Sequence, residues 1–212
     1  APAYGNSEKV LGNSNIKNFK IVTKTRSFNN SKIDQTSLKI IQNDFSRSLK
    51  NLKRDSVYGI LVHNANDLLR PGSEILFNKL NDLKRAKKIK KIGVSVYDHI
   101  QLQSILENFE IDLVQLPFNI LDRRLIDNGL LTTLQGKGVE VHARSVFLQG
   151  LLLMSDQNRP DKFKRWSILW KIWRDWLNDN QITALEATVR HVISMPEISK
   201  VLVGVDTKDQ LK

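Results

Sequence analysis

Cysteine is absent from the 212 residues. That excludes disulfides and thiolate metal sites and favours a cytoplasmic setting, because disulfide staples accumulate in oxidising compartments. Proline occurs only five times, scattered, and no glycine- or serine-rich run divides the chain. A single domain over residues 1–212 with one sizeable core is therefore expected. No apolar run approaches the roughly 18 residues that span a bilayer, so no membrane partner is expected. No charged-then-apolar leader opens the sequence either. An initiator methionine is missing as well: the chain starts at Ala1, which suggests a processed, engineered or partial product of something longer.

Acidic residues are scarce, 22 against 33 lysines and arginines, for a net charge of +11. Such an excess can mark a nucleic-acid partner. Here the cations are spread along helical segments, and no stretch combines aromatic and basic residues as a recognition motif does. The one dense run, Lys84 to Lys91, falls where a helix should end and a strand begin. Cations suit that place, facing the negative end of the helix dipole. It reads as a solvated helix end, and no nucleic-acid partner is expected.

What is present is alternation. Phe19–Lys24, Ser56–His63, Ile92–Val96, Leu113–Leu116, Val139–Ser145 and Lys200–Val205 are short, apolar and β-branched, the mark of strands buried on both faces. Asn29, Asn30 and Ser31 read as a loop. Helical spacing follows each strand: after Asp34, which can cap it, then over Gly72–Lys88, His99–Phe109, Leu125–Gln135, Phe163–Leu177 and Ile182–Met195, with Thr207–Gln210 opening a last one. All four tryptophans (Trp166, Trp170, Trp173, Trp176) share one helical face, a packing or interface stripe. Strand–helix alternation predicts an α/β fold with parallel strands and right-handed crossovers. No G-x-G-x-x-G follows a strand, which argues against a dinucleotide-binding open sheet. Polar residues gather at strand C-terminal ends (Lys24, His63, Ser95, Gln115, Ser145), where a (β/α)8 TIM-type barrel keeps its active site. The six units are two short of eight, and the length is about 40 residues below the ~250 typical of that fold, so the barrel is expected to be incomplete.

These residues resemble the aldo-keto reductases, a family that carries Asp-Thr-Ala-x-x-Tyr-Gly near its second strand. Ala1-Pro2-Ala3-Tyr4-Gly5 matches the later part, continued by Ser7-Glu8 and Leu11-Gly12. Thr23-Lys24 resembles the family's strand-ending lysine and Val62-His63 its strand-ending histidine. The resemblance implies an NAD(P)H-dependent oxidoreductase that reduces an aldehyde or ketone to an alcohol. Tyr4 would be the proton donor, Lys24 the cation that tunes it, and His63 the group that polarises the carbonyl. A free phenol titrates near ~10, and a neighbouring ammonium favours its ionised form. Gly93-Val94-Ser95 is similar to the strand that holds the nicotinamide carboxamide, with Gln115 as partner one strand later. Arg144, Ser145, Gln149 and Gly150 resemble the loop over the pyrophosphate. Gly204, Asp206, Lys208 and Gln210 resemble the adenosine-side segment. NADP is the implied cofactor, with NAD as the other option, since Asp206 does not suit a 2′-phosphate although Lys208 does. No metal is implied, and the partner is a small carbonyl substrate.

The departures matter as much. The family's catalytic aspartate would fall two residues ahead of Ala1. Val96 stands where Asn is common, and Arg144 where an aromatic ring often stacks on the nicotinamide. The native product is expected to carry about 40 to 60 further residues ahead of Ala1, and the chain as it stands is expected to turn over slowly or not at all. The rival readings are a non-catalytic barrel that binds a nicotinamide nucleotide and, last, a nucleic-acid-binding protein.

Overall fold

The first strand shows how the local sequence translates into structure. Only Val22–Lys24 joins the ladder as β1, shorter than the expected Phe19–Lys24. Phe19 is left exposed, and Ile21 contributes its carbonyl alone, accepting from Tyr58 and Gly59 N–H. The computed structural model describes residues 1–14, 16, 18–28, 32–205 and 207–211; the expected loop at Asn29, Asn30 and Ser31 lies outside them.

The chain packs as two compact units, Ala1–Leu116 with Thr133–Val141, and Pro117–Thr132 with His142–Lys212. The first opens with a 3-10 turn, Pro2–Tyr4, and helix α1, Ser7–Asn13, which no sequence pattern announced. After β1, helix α2 (Gln35–Leu52) starts at a reciprocal cap: Asp34 accepts from Ser37 N–H, and the Ser37 hydroxyl accepts from Asp34 N–H. Strand β2 (Val57–Val62), helix α3 (Ser73–Arg85), strand β3 (Ile89–Ser95), helix α4 (His99–Asn108, capped by Asp98) and strand β4 (Leu113–Pro117) follow. The basic run that closes α3 is not simply solvated. Lys84 pairs with Asp112 at 2.6 Å, and Lys91, inside β3, pairs with Glu140 at 2.8 Å.

The segment expected as one helix over Leu125–Gln135 is two, α5 (Arg124–Asp127) and α6 (Leu130–Gly136). Gly129 takes a left-handed φ of 71° between them, and the Asn128 side chain caps Leu130 N–H, so the helix restarts there. Strand β5 (Glu140–Arg144) leads into the second unit. There the tryptophan segment is a 3-10 stretch, Asp161–Trp166, running into helix α7 (Ser167–Asp179). Trp170 is buried and Trp173 half-buried against Leu151 and Leu152, and their indole N–H groups donate to Phe163 and Leu152 carbonyls. Trp166 and Trp176 stay exposed, so the stripe is core along half its length. Helix α8 (Ala184–Ile193) and strand β6 (Lys200–Val201) complete the unit. The last strand is shorter than the expected Lys200–Val205 because β5, its ladder partner, ends at Arg144.

All determined pairings are parallel, and the strands follow chain order in the sheet, β1-β2-β3-β4-β5-β6. In the first unit Leu61, Val62, Val94, Leu113, Val114 and Leu116 are fully buried, as near-continuous apolar strands require. Gly93 sits where strands crowd most: an added Cβ would lie 2.2 Å from Leu113 O and 2.7 Å from Leu61 Cδ2. Beyond the strand ends, Asp67 clasps two loops. Its carboxylate, with no exposed surface, accepts from Phe28 N–H at 3.2 Å and lies 3.2 Å from Arg70 without hydrogen-bond alignment. Burial pushes this carboxyl up from its ordinary value, against the opposing pull of Phe28 N–H and Arg70.

Two outcomes are expected. Gly93→Ala should lower the unfolding free energy by about 1–3 kcal/mol, the usual cost of overpacking, whereas Gly136→Ala, which meets open space, should cost nothing measurable; urea unfolding midpoints decide. For Asp67 the raised folded value means that the folded chain holds this proton longer than the unfolded chain does. Its contribution to stability is complete below the unfolded value near ~4 and is lost as pH rises through the folded one. The stability of the unaltered protein relative to Asp67→Asn should therefore fall as pH rises above about 4. A difference independent of pH in urea titrations would contradict this.

Candidate active site

Tyr4 ends the 3-10 turn, whose Tyr4 N–H donates to Ala1 O at 3.0 Å. Gly5 then takes φ 54°, reversing the chain into α1, a conformation that costs glycine little. In the first turn of α1, Glu8 is buried and accepts from Thr23 Oγ1 at 2.8 Å. That bond ties the tyrosine segment to β1 one residue before Lys24. Lys24 closes β1 and donates to Tyr4 Oη at 3.2 Å and to Gln115 Oε1 at 2.6 Å. His63 follows β2, its backbone N–H donating to Thr25 Oγ1 at 3.2 Å. Its ring stands 5.8 Å from the Tyr4 ring, centroid to centroid. The three residues singled out in the sequence, from positions 4, 24 and 63, thus share one neighbourhood in the first unit.

Ser95 and Gln115 join it. They are opposite each other in register at the C-terminal ends of β3 and β4, and both are buried. Gln115 is fixed from the backbone as well, its carbonyl accepting from Val96 N–H at 3.0 Å. Among the described residues, Ser95 Oγ and Gln115 Nε2 make no hydrogen bond and no carboxylate lies within ion-pair distance of Lys24. The Tyr4 side chain is 52% exposed, so its hydroxyl is accessible from solvent while its bond to Lys24 is fixed from behind.

The remaining predicted residues lie in the second unit. Arg144 ends β5 and donates to Ser145 Oγ at 3.3 Å. Ser145, Leu148, Gln149 and Gly150 all have left-handed φ (59°, 48°, 55° and 85°), which folds this stretch into a tight loop running into a 3-10 turn, Leu151–Leu153. The sequence reading missed what holds that loop. Asn119, almost wholly buried, donates to Ser145 O at 3.2 Å and accepts from Leu121 and Asp122 N–H at 3.0 Å. A polar residue just past the apolar strand Leu113–Pro117 was the available signal. Glu8 was likewise passed over as a structural tie. Gly204, Lys208 and Gln210 lie exposed after β6, with Gln210 N–H donating to Thr207 Oγ1 at 3.3 Å; Asp206 lies outside the described residues. Among the described residues no group of three His, Asp or Glu side chains could hold a metal ion, and no helix is long and apolar enough to cross a membrane.

Comparison with known proteins gives the family and the fold. The model of the aldo/keto reductase family matches residues 1–212. A stretch of 73 residues is 37% identical to the NADH-specific methylglyoxal reductase of Escherichia coli (strain K12), covering 34% of this chain and 22% of that protein. Among solved structures, the apo form of an aldo-keto reductase from Bacillus halodurans superposes with a TM-score of 0.72 at 19% identity, over 96% of this chain and 68% of that one. A glycerol dehydrogenase from Gluconobacter oxydans gives 0.71 at 17% identity, over 96% and 69%. The likeness identifies the fold as α/β of the (β/α)8 type, with six parallel strands present. The chain spans about two thirds of the length of those structures and the match about a fifth of the E. coli reductase. On the family match along its whole length, the chain belongs to the aldo/keto reductase family.

Proposed function

We propose that the protein is an NAD(P)H-dependent oxidoreductase that reduces an aldehyde or ketone to an alcohol, with Tyr4 as proton donor. The observation that carries the reading is the 3.2 Å bond from Lys24 Nζ to Tyr4 Oη beside the His63 ring. Carbonyl reduction leaves a developing alkoxide that must take a proton. A phenol that donates it becomes an oxyanion, and an ammonium already bonded to that oxygen stabilises the charge as it forms. His63, next to the phenol ring, is positioned to orient the carbonyl oxygen toward the same hydroxyl.

The residues present fit a nicotinamide nucleotide. Ser95 Oγ and Gln115 Nε2 are adjacent polar groups on buried residues with unused hydrogen-bonding capacity, which is what a primary amide requires. The left-handed loop Ser145–Gly150, with Arg144 at its root, suits a pyrophosphate, and Gly204, Asp206, Lys208 and Gln210 are proposed for the adenosine end. When bound, the nucleotide supplies the hydride. NADP is the proposed cofactor with NAD as the alternative, which the NADH-specific relative also favours. Methylglyoxal is a reasonable first substrate for the same reason, and the proposed setting is cytoplasmic.

The test is nucleotide oxidation with methylglyoxal, measured with NADPH and with NADH. Tyr4→Phe should reduce kcat by about 10²–10⁴, the range for a lost general acid, and leave nucleotide affinity unchanged. Full activity in Tyr4→Phe overturns the assignment of the donor. Nucleotide binding without any turnover, with a panel of aldehydes and ketones, would leave a non-catalytic binding protein instead. Lys24→Met should cost about a hundredfold in kcat, comparable to removing an oxyanion donor, with little change in KM; an equal rise in KM would make the lysine a binding group.

A further inference from the structure

Lys24 is gripped more closely by Gln115 than by Tyr4, at 2.6 Å against 3.2 Å. An ammonium has three donors and no acceptor. Gln115 can therefore meet it only through Oε1, and the two N–H groups on Nε2 must face the other way. The bond consequently settles the orientation of a terminal amide that would otherwise turn over freely. It also holds the lysine with a neutral dipole. The amide itself is anchored, since Gln115 is 5% exposed and its backbone is paired into β3 through Val96 N–H.

We propose that Gln115 is a positioning residue for the proton donor: its Oε1 holds Lys24 against Tyr4, and Lys24 in return fixes Gln115 Nε2 as a hydrogen-bond donor toward the space beside Ser95. The second half rests on the reductase reading above, in which that space takes the nicotinamide amide. An amide bound beside Ser95 would accept from Gln115 Nε2 and so reinforce the orientation that aligns Lys24. The hydride side and the proton side of the site are coupled through one amide group.

Two variants separate the functions. Glutamate keeps the acceptor and loses the donor; methionine keeps the shape and loses both. Acylation of Lys24 by acetic anhydride, followed residue by residue by mass spectrometry on the nucleotide-free chain, reads how firmly the lysine is held. NADPH and NADH affinities, by tryptophan fluorescence, read the donor. Gln115→Met should speed Lys24 labelling about fivefold, the factor one ordinary hydrogen bond confers, and weaken nucleotide binding. Gln115→Glu should leave Lys24 as protected as before or more so, yet weaken nucleotide binding about tenfold. Unchanged Lys24 labelling in Gln115→Met overturns the positioning role, and undiminished nucleotide affinity in Gln115→Glu overturns the donor role. If the unaltered chain binds neither nucleotide, the reductase reading falls and the donor role with it, while the labelling arm alone still decides whether Gln115 holds Lys24.

Discussion

A single ammonium organises the site. Lys24 bonds to a phenol from the N-terminal segment and to an amide from β4. In the sheet β1 and β4 are separated by β2 and β3, so this contact joins strands that no ladder bond joins. It depends on β1 ending where it does. Thr23, one residue earlier, is spent on Glu8, and Thr25, one residue later, on His63 N–H. Side chains alternate along a strand, so the two threonines share one face and the lysine is left for the other.

That arrangement needs a rigid floor, and the strands supply it. Leu61, Val94, Leu113 and Val114 are buried without remainder, and Gly93 lets the β4 backbone come nearer than any side chain would allow. The crowding lies two residues before Ser95, whose partner in register is Gln115. Close packing at Gly93 and the fixed position of Gln115 are therefore parts of one constraint. Above the floor, Asp67 fastens the loop carrying Phe28 to the turn that follows His63.

Much of this was legible in the sequence because strand interiors and strand ends have different chemistry. Apolar runs located β2, β3, β4 and β5 to within a few residues, and the polar residues at or near strand C-terminal ends, Lys24, His63, Ser95 and Gln115, are the ones that gather in the first unit. What escaped was whatever depends on a partner distant in sequence. The ends of β1 and β6 are set by how far their neighbours extend, not by their own β propensity. Helix α1 is too short and too polar to carry a period. Glu8 reads as a surface carboxylate until Thr23 is placed opposite it. The break between α5 and α6 hinges on one left-handed glycine, and periodicity averages over such a point. Gln115 was recognised by position, but its bond to Lys24 spans 91 residues of chain, and nothing in either local sequence signals it.

The openness of the phenol has a corollary for proton exchange. Tyr4 stands on a three-residue turn with half its surface in water. A phenol buried in a protein trades protons with the outside only through a relay of internal groups, each of which can slow the traffic. The Tyr4 oxygen needs no such wire: water or a buffer molecule can reach it from the front while the lysine remains bonded behind. Whatever protonation state a bound molecule leaves on this oxygen, solvent can restore by diffusion.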